Sequence, residues 1–169
     1  MNFLIKLNEF KNHLFKKKNI ISFIFIMILF FLDRISKLQI INNFNEATYY
    51  VNDYLNFDLI WNTGIGFGLL SSSSIIIYSI ITFIIGLVIV ILFYLMIISE
   101  SFDKVIYSVI IGGAIGNFYD RLVFNAVPDF IDLHYNDFHW FTFNFADIVI
   151  SSGILLFFAK NFWQKEKNI

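Results

Sequence analysis

The sequence predicts an all-α polytopic membrane protein: four transmembrane helices with a small, partly β extracytoplasmic cradle. Three observations predict it. Of 169 residues, 58% are hydrophobic and 20% aromatic, only 15% are charged, and the mean hydropathy is +0.71. Soluble domains carry about 25% charged residues, so this chain has too little polar surface to coat a globule. Twelve Lys plus Arg against thirteen Asp plus Glu leave a net charge of −1, which offers no basic footprint for nucleic acid. With no cysteine in the chain, disulfides, thiolate metal sites and Cys nucleophiles are excluded. Any catalysis must come from Asp, Glu, His, Ser or Lys.

The elements follow in order. Five lysines, Lys6, Lys11, Lys16, Lys17 and Lys18, precede a charge-free run from Ile20 to Leu32. A cleaved signal peptide would end at small residues, whereas this run leads into Asp33 and Arg34. The expectation is a retained first transmembrane helix at about 19–40, long enough for a hydrocarbon core of about 30 Å. The uncharged stretch from Leu59 to Ser99 splits at Gly64, Gly66, Gly68 and Ser71 to Ser74, which places a second helix at about 75–98. Glu100 and Asp103 mark a short turn, and a third helix is expected at about 104–122. The last hydrophobic stretch, Phe138 to Ala159, predicts a fourth helix at about 144–160. Residues 41–74 then form an outer cradle and loop, and 123–143 an outer loop, so that 1–169 is a single membrane domain. Strand character is confined to 42–61, where Tyr, Val, Phe and Ile alternate loosely with Asn and Asp.

Orientation comes from the lysines. Five precede the first helix and Lys160, Lys165 and Lys167 close the chain, whereas 39–74 and 122–146 contain no Lys or Arg. The positive-inside rule places both termini in the cytoplasm. Tyr49, Tyr50, Tyr54, Trp61 and Trp140 crowd the outer segments, as interfacial aromatics do.

A charge at the centre of a membrane helix costs about 2.5 to 3.5 kcal/mol on insertion scales. The embedded ionisable residues therefore need a reason: Asp33, Lys37, Asp120, Arg121, Asp129 and Asp147. With Asn62 and Asn117 they converge on the outer face. Two carboxylates held together in a low dielectric share a proton and titrate as a pair. The ionised member can take a proton from water while the other protonates a peptide carbonyl. Asp129 and Asp147 are the candidate pair, with Asn144 placed to cap the helix that carries Asp147. Taken alone, the same acids fit an ion pathway or proton relay equally well.

Other signals have plainer readings. Adjacent Asp120 and Arg121 read as an interfacial ion pair or a simple topology marker before a site role. Gly112 and Gly116 give a GxxxG spacing that reads as helix packing. Asn62 to Gly68 lacks the ending of a phosphate loop, and Ser71 to Ser74 reads as linker. His134 and His139 read as interfacial histidines rather than metal ligands.

Five collinear blocks carry a resemblance: Asp33-Arg-Ile-Ser-Lys37, Asn62-Thr-Gly-Ile-Gly-Phe-Gly68, Gly112-Gly-Ala-Ile-Gly-Asn-Phe-Tyr-Asp-Arg121, Val127-Pro-Asp-Phe-Ile-Asp132 and Phe143-Asn-Phe-Ala-Asp147. Together they resemble the lipoprotein signal peptidases, or type II signal peptidases. The resemblance implies a bacterial inner-membrane aspartyl endopeptidase that cuts prolipoprotein signal peptides before a diacylglyceryl-modified cysteine. It implies Asp129 and Asp147 as catalytic, with Asn62, Asn117, Asp120, Arg121, Asn144, Asp33 and Lys37 binding substrate and orienting the dyad. It further implies a site near the periplasmic face, membrane lipids as neighbours, a functional monomer, and no metal or other cofactor. Gly66 stands where the family usually has Ala, and Pro128 stiffens the approach to Asp129. The competing class is a small proton-coupled transporter or membrane assembly subunit. A carrier needs mid-membrane polarity on several helices, yet 75–98 offers only Tyr78, Ser79, Thr82 and Tyr94, and no acid.

Overall fold

The computed structural model describes residues 15–43, 48–64 and 75–166. The expectations for Lys6, Lys11, Gly66, Gly68, Ser71 to Ser74 and Lys167 fall outside the described residues. Four helices are present among the described residues: α1 (Lys17–Asn43), α2 (Ile75–Ile98), α3 (Ser101–Phe124) and α4 (Phe145–Glu166). Of these α1, α2 and α4 are long and apolar enough to cross a membrane. Helix α1 begins two residues before and ends three residues after the expected 19–40, and Asp103 is not part of the expected turn. Asp103 instead lies in the first turn of α3, where a carboxylate faces favourable helix dipoles, and it pairs with Lys160 of α4.

The all-α class needs correction. Four strands, β1 (Tyr49–Asn52), β2 (Leu55–Asn62), β3 (Val127–Tyr135) and β4 (Phe138–Phe143), form one antiparallel sheet in the order β1-β2-β3-β4. Strand character therefore extends beyond 42–61, and the outer loop at 123–143 is largely a hairpin. Asn136, at φ 50°, turns β3 into β4. The apolar residues of β4 merge in hydropathy with α4, so the two read as one stretch; only Asn144 separates them.

Helix α3 is the hub, touching α1, α2 and α4. Its glycines permit that approach: a Cβ at Gly112 would lie 2.7 Å from Leu29 Cβ, and one at Gly116 would lie 2.3 Å from Asp33 Oδ2. This is the close backbone contact that small residues provide between membrane helices. Asn125, left-handed at φ 54°, ends α3 and directs the chain into β3, the strand that meets α1 and α3.

The interior is segregated by depth. At the Lys17 end of the bundle Ile26, Met96, Ile97 and Ile111 form an apolar core. There, buried Lys104 donates to Asn19 Oδ1 at 2.5 Å and to the Ile97 carbonyl at 3.1 Å, satisfying the free carbonyl end of α2. At the other end the interior is polar. Ile75, Phe83, Val90, Leu155 and Phe158 are exposed on the helix exteriors, as lipid-facing residues are.

Candidate active site

Every candidate residue lies at the end of the bundle that carries the sheet, and each is placed by a local rule. Asp33 and Lys37 are four apart on α1 and so share a face. Asn117, Asp120 and Arg121 occupy the last two turns of α3 at helical spacing. Strand register places Asn62 opposite Val127 and Ile60 opposite Asp129, making Asn62 and Asp129 diagonal neighbours.

Asn144 and Asp147 open α4 as a reciprocal cap. The Asp147 backbone N–H donates to Asn144 Oδ1, and the Asn144 backbone N–H donates to Asp147 Oδ2, both at 3.1 Å. This is the geometry of a capping box, with Asp in the position usually held by Glu or Gln.

Asn144 also joins the two acids. Its Nδ2 donates to Asp129 Oδ1 at 2.5 Å, while its Oδ1 and backbone N–H engage Asp147. The second oxygen of Asp129 accepts from Asn62 Nδ2 at 2.8 Å, and Asn62 Oδ1 in turn accepts from the Gly64 N–H at 2.8 Å. The other oxygen of Asp147 accepts from Asn117 Nδ2 at 2.8 Å. Both carboxylates are thus held by amides that converge from β2, α3 and the start of α4.

Burial pushes the Asp129 carboxyl up to about 6, and the neighbouring Asp147 charge adds to the rise, against the donors Asn62 and Asn144. Asp129 is buried; Asp147 is partly open. It borders a groove of about 340 Å³ between the β3–β4 hairpin and α4, lined by Leu133, Phe141, Phe143, Ile148 and Leu155 with Ser151 and Ser152.

Behind the pair lies a cluster of ions. Lys37 Nζ, fully buried, donates to Asp33 Oδ2 at 2.9 Å, Asn117 Oδ1 at 2.8 Å and Asp120 Oδ2 at 2.7 Å. Asp33 Oδ1 accepts from the Ala146 N–H at 3.1 Å, tying α1 to the first turn of α4. Asp120 and Arg121 do not pair with each other as their adjacency suggested. Asp120 faces Lys37 and Arg34, whereas Arg121 donates to the carbonyls of Asn117 and Gly64, both at 3.0 Å. Successive helix residues point about 100° apart, which here turns Asp120 toward α1 and Arg121 toward the Gly64 carbonyl.

Arg34 was missed as a site residue. Its signal was available: it is an ionisable residue between Asp33 and Lys37, at the end of a charge-free run. His134 and His139 stack with ring centroids 5.4 Å apart, and His139 Nδ1 lies 2.7 Å from Asp132 Oδ2. Among the described residues, no group of three or more His, Cys, Asp or Glu is arranged to hold a metal ion.

Comparison with known proteins adds an independent line. Residues 25–163 match the family described as signal peptidase (SPase) II. The lipoprotein signal peptidase of Pelagibacter ubique (strain HTCC1062) is 42% identical over 151 residues, covering 87% of this chain and 91% of that one. The lipoprotein signal peptidase of Anaplasma phagocytophilum (strain HZ) is 40% identical over 147 residues, covering 85% and 92%. A bacterial membrane enzyme solved by the in meso method at 2.3 Å superposes with a TM-score of 0.72 at 28% identity, covering 88% of this chain and 91% of that one.

Proposed function

The chain belongs to the signal peptidase II family, and from that premise we propose that Asp129 and Asp147 are its catalytic dyad. It is a multi-pass bacterial membrane enzyme, an aspartic peptidase with lipoprotein signal peptidase activity. The observation that carries the dyad is Asn144, whose one side chain and backbone amide hold a carboxylate on either side. The burial-raised Asp129 supports it, because a dyad must keep one proton to work.

In the reaction the ionised aspartate takes a proton from water and the water oxygen bonds to the scissile carbonyl carbon. The protonated aspartate delivers its proton to the carbonyl oxygen. Collapse of the tetrahedral intermediate breaks the carbon–nitrogen bond, and the amine leaves with a proton returned from the dyad.

The substrates we propose are prolipoproteins bearing a diacylglyceryl-cysteine, cut just before that residue. The apolar groove beside Asp147 suits a lipid-embedded part of such a substrate. All four helices cross the membrane in this reading, in a single membrane domain that functions as a monomer. Both termini are cytoplasmic and the dyad opens at the outer face, since the segments on the sheet side lack Lys and Arg. The test replaces each acid in turn. Asp129→Asn and Asp147→Asn should each abolish cleavage of a diacylglyceryl precursor while the protein remains in the membrane; normal cleavage by either variant would refute the dyad.

A further inference from the structure

Arg34 is nine-tenths buried at the bundle end that holds the dyad, and no part of the chemistry above uses it. Its NH1 lies 2.6 Å from Asp120 Oδ1 and its NH2 lies 3.6 Å from Asp33 Oδ2. The first contact is close but off the hydrogen-bond axis, so it acts as an ion pair. The guanidinium carbon sits 5.0 Å over the Tyr119 ring, a cation–π contact that fixes it in place.

The consequence lies one residue away. Lys37 has three N–H bonds, and its three acceptors are Asp33, Asp120 and the Asn117 carbonyl. Two carboxylates and two cations balance this cluster. Without Arg34, two buried carboxylates would share a single ammonium, and Coulomb attraction would draw Lys37 onto them and away from the neutral Asn117.

Asn117 is the link to the dyad. A primary amide fits its site in two orientations, and here the ammonium chooses between them. The observed one sets C=O against Lys37 and NH2 against Asp147 Oδ1. The flipped one would set NH2 against an ammonium and C=O against a carboxylate. Asp147 thus receives a donor backed by a cation and a second donor at the start of a helix. Asp129 receives two uncharged side-chain amides.

We propose that Arg34 is a positioning residue for the dyad: by taking one oxygen of Asp120 it leaves Lys37 to hold the Asn117 carbonyl, which turns the Asn117 amide onto Asp147 and makes Asp147 the ionised, water-activating partner. Asp129 is then the proton donor. Asp147 accepts the water proton and later gives it to the departing amine; Asp129 protonates the carbonyl oxygen and recovers its proton when the intermediate collapses. The inference rests on the dyad reading above.

The groups that face this network are Asp33, Arg34 and Lys37 from α1, the Tyr78 hydroxyl from α2, Asp120 and Arg121 from α3, Asp129 from β3 and Asp147 itself. Losing Arg34 lowers the positive potential on that side, so the fully protonated, inactive dyad should form at higher pH.

The experiment measures kcat/KM against pH for the full chain in phospholipid vesicles, with a synthetic diacylglyceryl-cysteine precursor. Arg34→Met should move the acid limb up by about one pH unit, which is about a tenfold loss on that limb. Arg34→Lys, which restores a point charge near Asp120, should bring the limb back, and so should Arg34→Met combined with Asp120→Asn. A purely structural role would lower the plateau and leave the limb in place. An unmoved limb in Arg34→Met, or an equal displacement in Arg34→Lys, overturns the proposal. If Arg34→Met fails to accumulate, the double variant decides: a parental limb supports the proposal and a displaced one overturns it. A parent chain that does not cleave the precursor sinks the dyad reading as well, whereas a cleaving parent with an unmoved limb sinks this inference alone.

Discussion

Replacing Asn144 tests the arrangement at its most shared point. The residue is fully buried and does two separable jobs. Its Oδ1 caps α4 by accepting from the Asp147 N–H, and its Nδ2 donates to Asp129. Asn144→Ala removes both, whereas Asn144→Ser keeps an oxygen fit to cap and loses the amide donor. A cap is worth about 1 kcal/mol, so the Ala variant should unfold with about that deficit and the Ser variant with little. Asp129 reacts in its protonated form, and a hydrogen bond between uncharged groups is worth about 0.5 to 1.5 kcal/mol. If that bond holds Asp129 in its reacting position, both variants should lose about 2- to 13-fold in kcat/KM. The assay pairs thermal unfolding in detergent with cleavage of a diacylglyceryl precursor. A Ser variant that cleaves at the parental rate would refute the reasoning, because it would show that Asp129 needs no amide from Asn144.

Two further outcomes follow from the same geometry. Gly116→Ala puts a methyl group 2.3 Å from Asp33 Oδ2, so either the Asp33 carboxylate leaves Lys37 and the Ala146 N–H or α1 and α3 part, and cleavage should fall by about tenfold or more. Gly86→Ala meets only the Phe118 ring, at 3.2 Å, and should be tolerated; equal unfolding temperatures and equal rates for the two variants would contradict this. The carboxyl of Asp129 is raised from 3.8 to about 6. Its proton is present below that pH and lost above it, so kcat/KM should decline as pH rises through about 6. Asn62→Ala removes a donor that favours the ionised form, so a pH–rate profile should show the alkaline limb moving to higher pH, and a move to lower pH would contradict the assignment.

How much of this was legible beforehand depended on whether the rule involved was local. Asp33 and Lys37 stood out because charge is costly in a membrane and four residues bring two side chains to one helix face. The spacing of Asn144 and Asp147 announced a helix start, and the structure adds the reciprocity. The strands β3 and β4 were not legible, because β4 and α4 form one continuous hydrophobic stretch and hydropathy does not record where backbone geometry changes. The partners of Asp120 were equally hidden. They come from a different helix, 83 positions away in the case of Lys37, and only packing around the α3 glycines brings them into range. The place of Arg34 was hidden for the same reason, since Asp120 and the Tyr119 ring that hold it lie on α3.

The depth segregation of the bundle explains why so many charges can be buried at one end. At the Lys17 end, the buried ammonium of Lys104 is answered by neutral acceptors, the Asn19 amide oxygen and a carbonyl at the end of α2. At the other end, Asp33 and Asp120 are answered by Arg34 and Lys37. Breaking one partner of a buried ion pair costs about 3 to 5 kcal/mol, so the balanced cluster is rigid. Rigidity there is useful, because among the described residues its hydrogen bonds toward the dyad run through one amide, Asn117, and one backbone N–H at the start of α4, that of Ala146. A loose cluster would let Asn117 turn over and exchange a donor for an acceptor at Asp147. The buried charges therefore serve orientation before stability, and a variant with an apolar, well-packed cluster should be the more stable protein and the poorer peptidase.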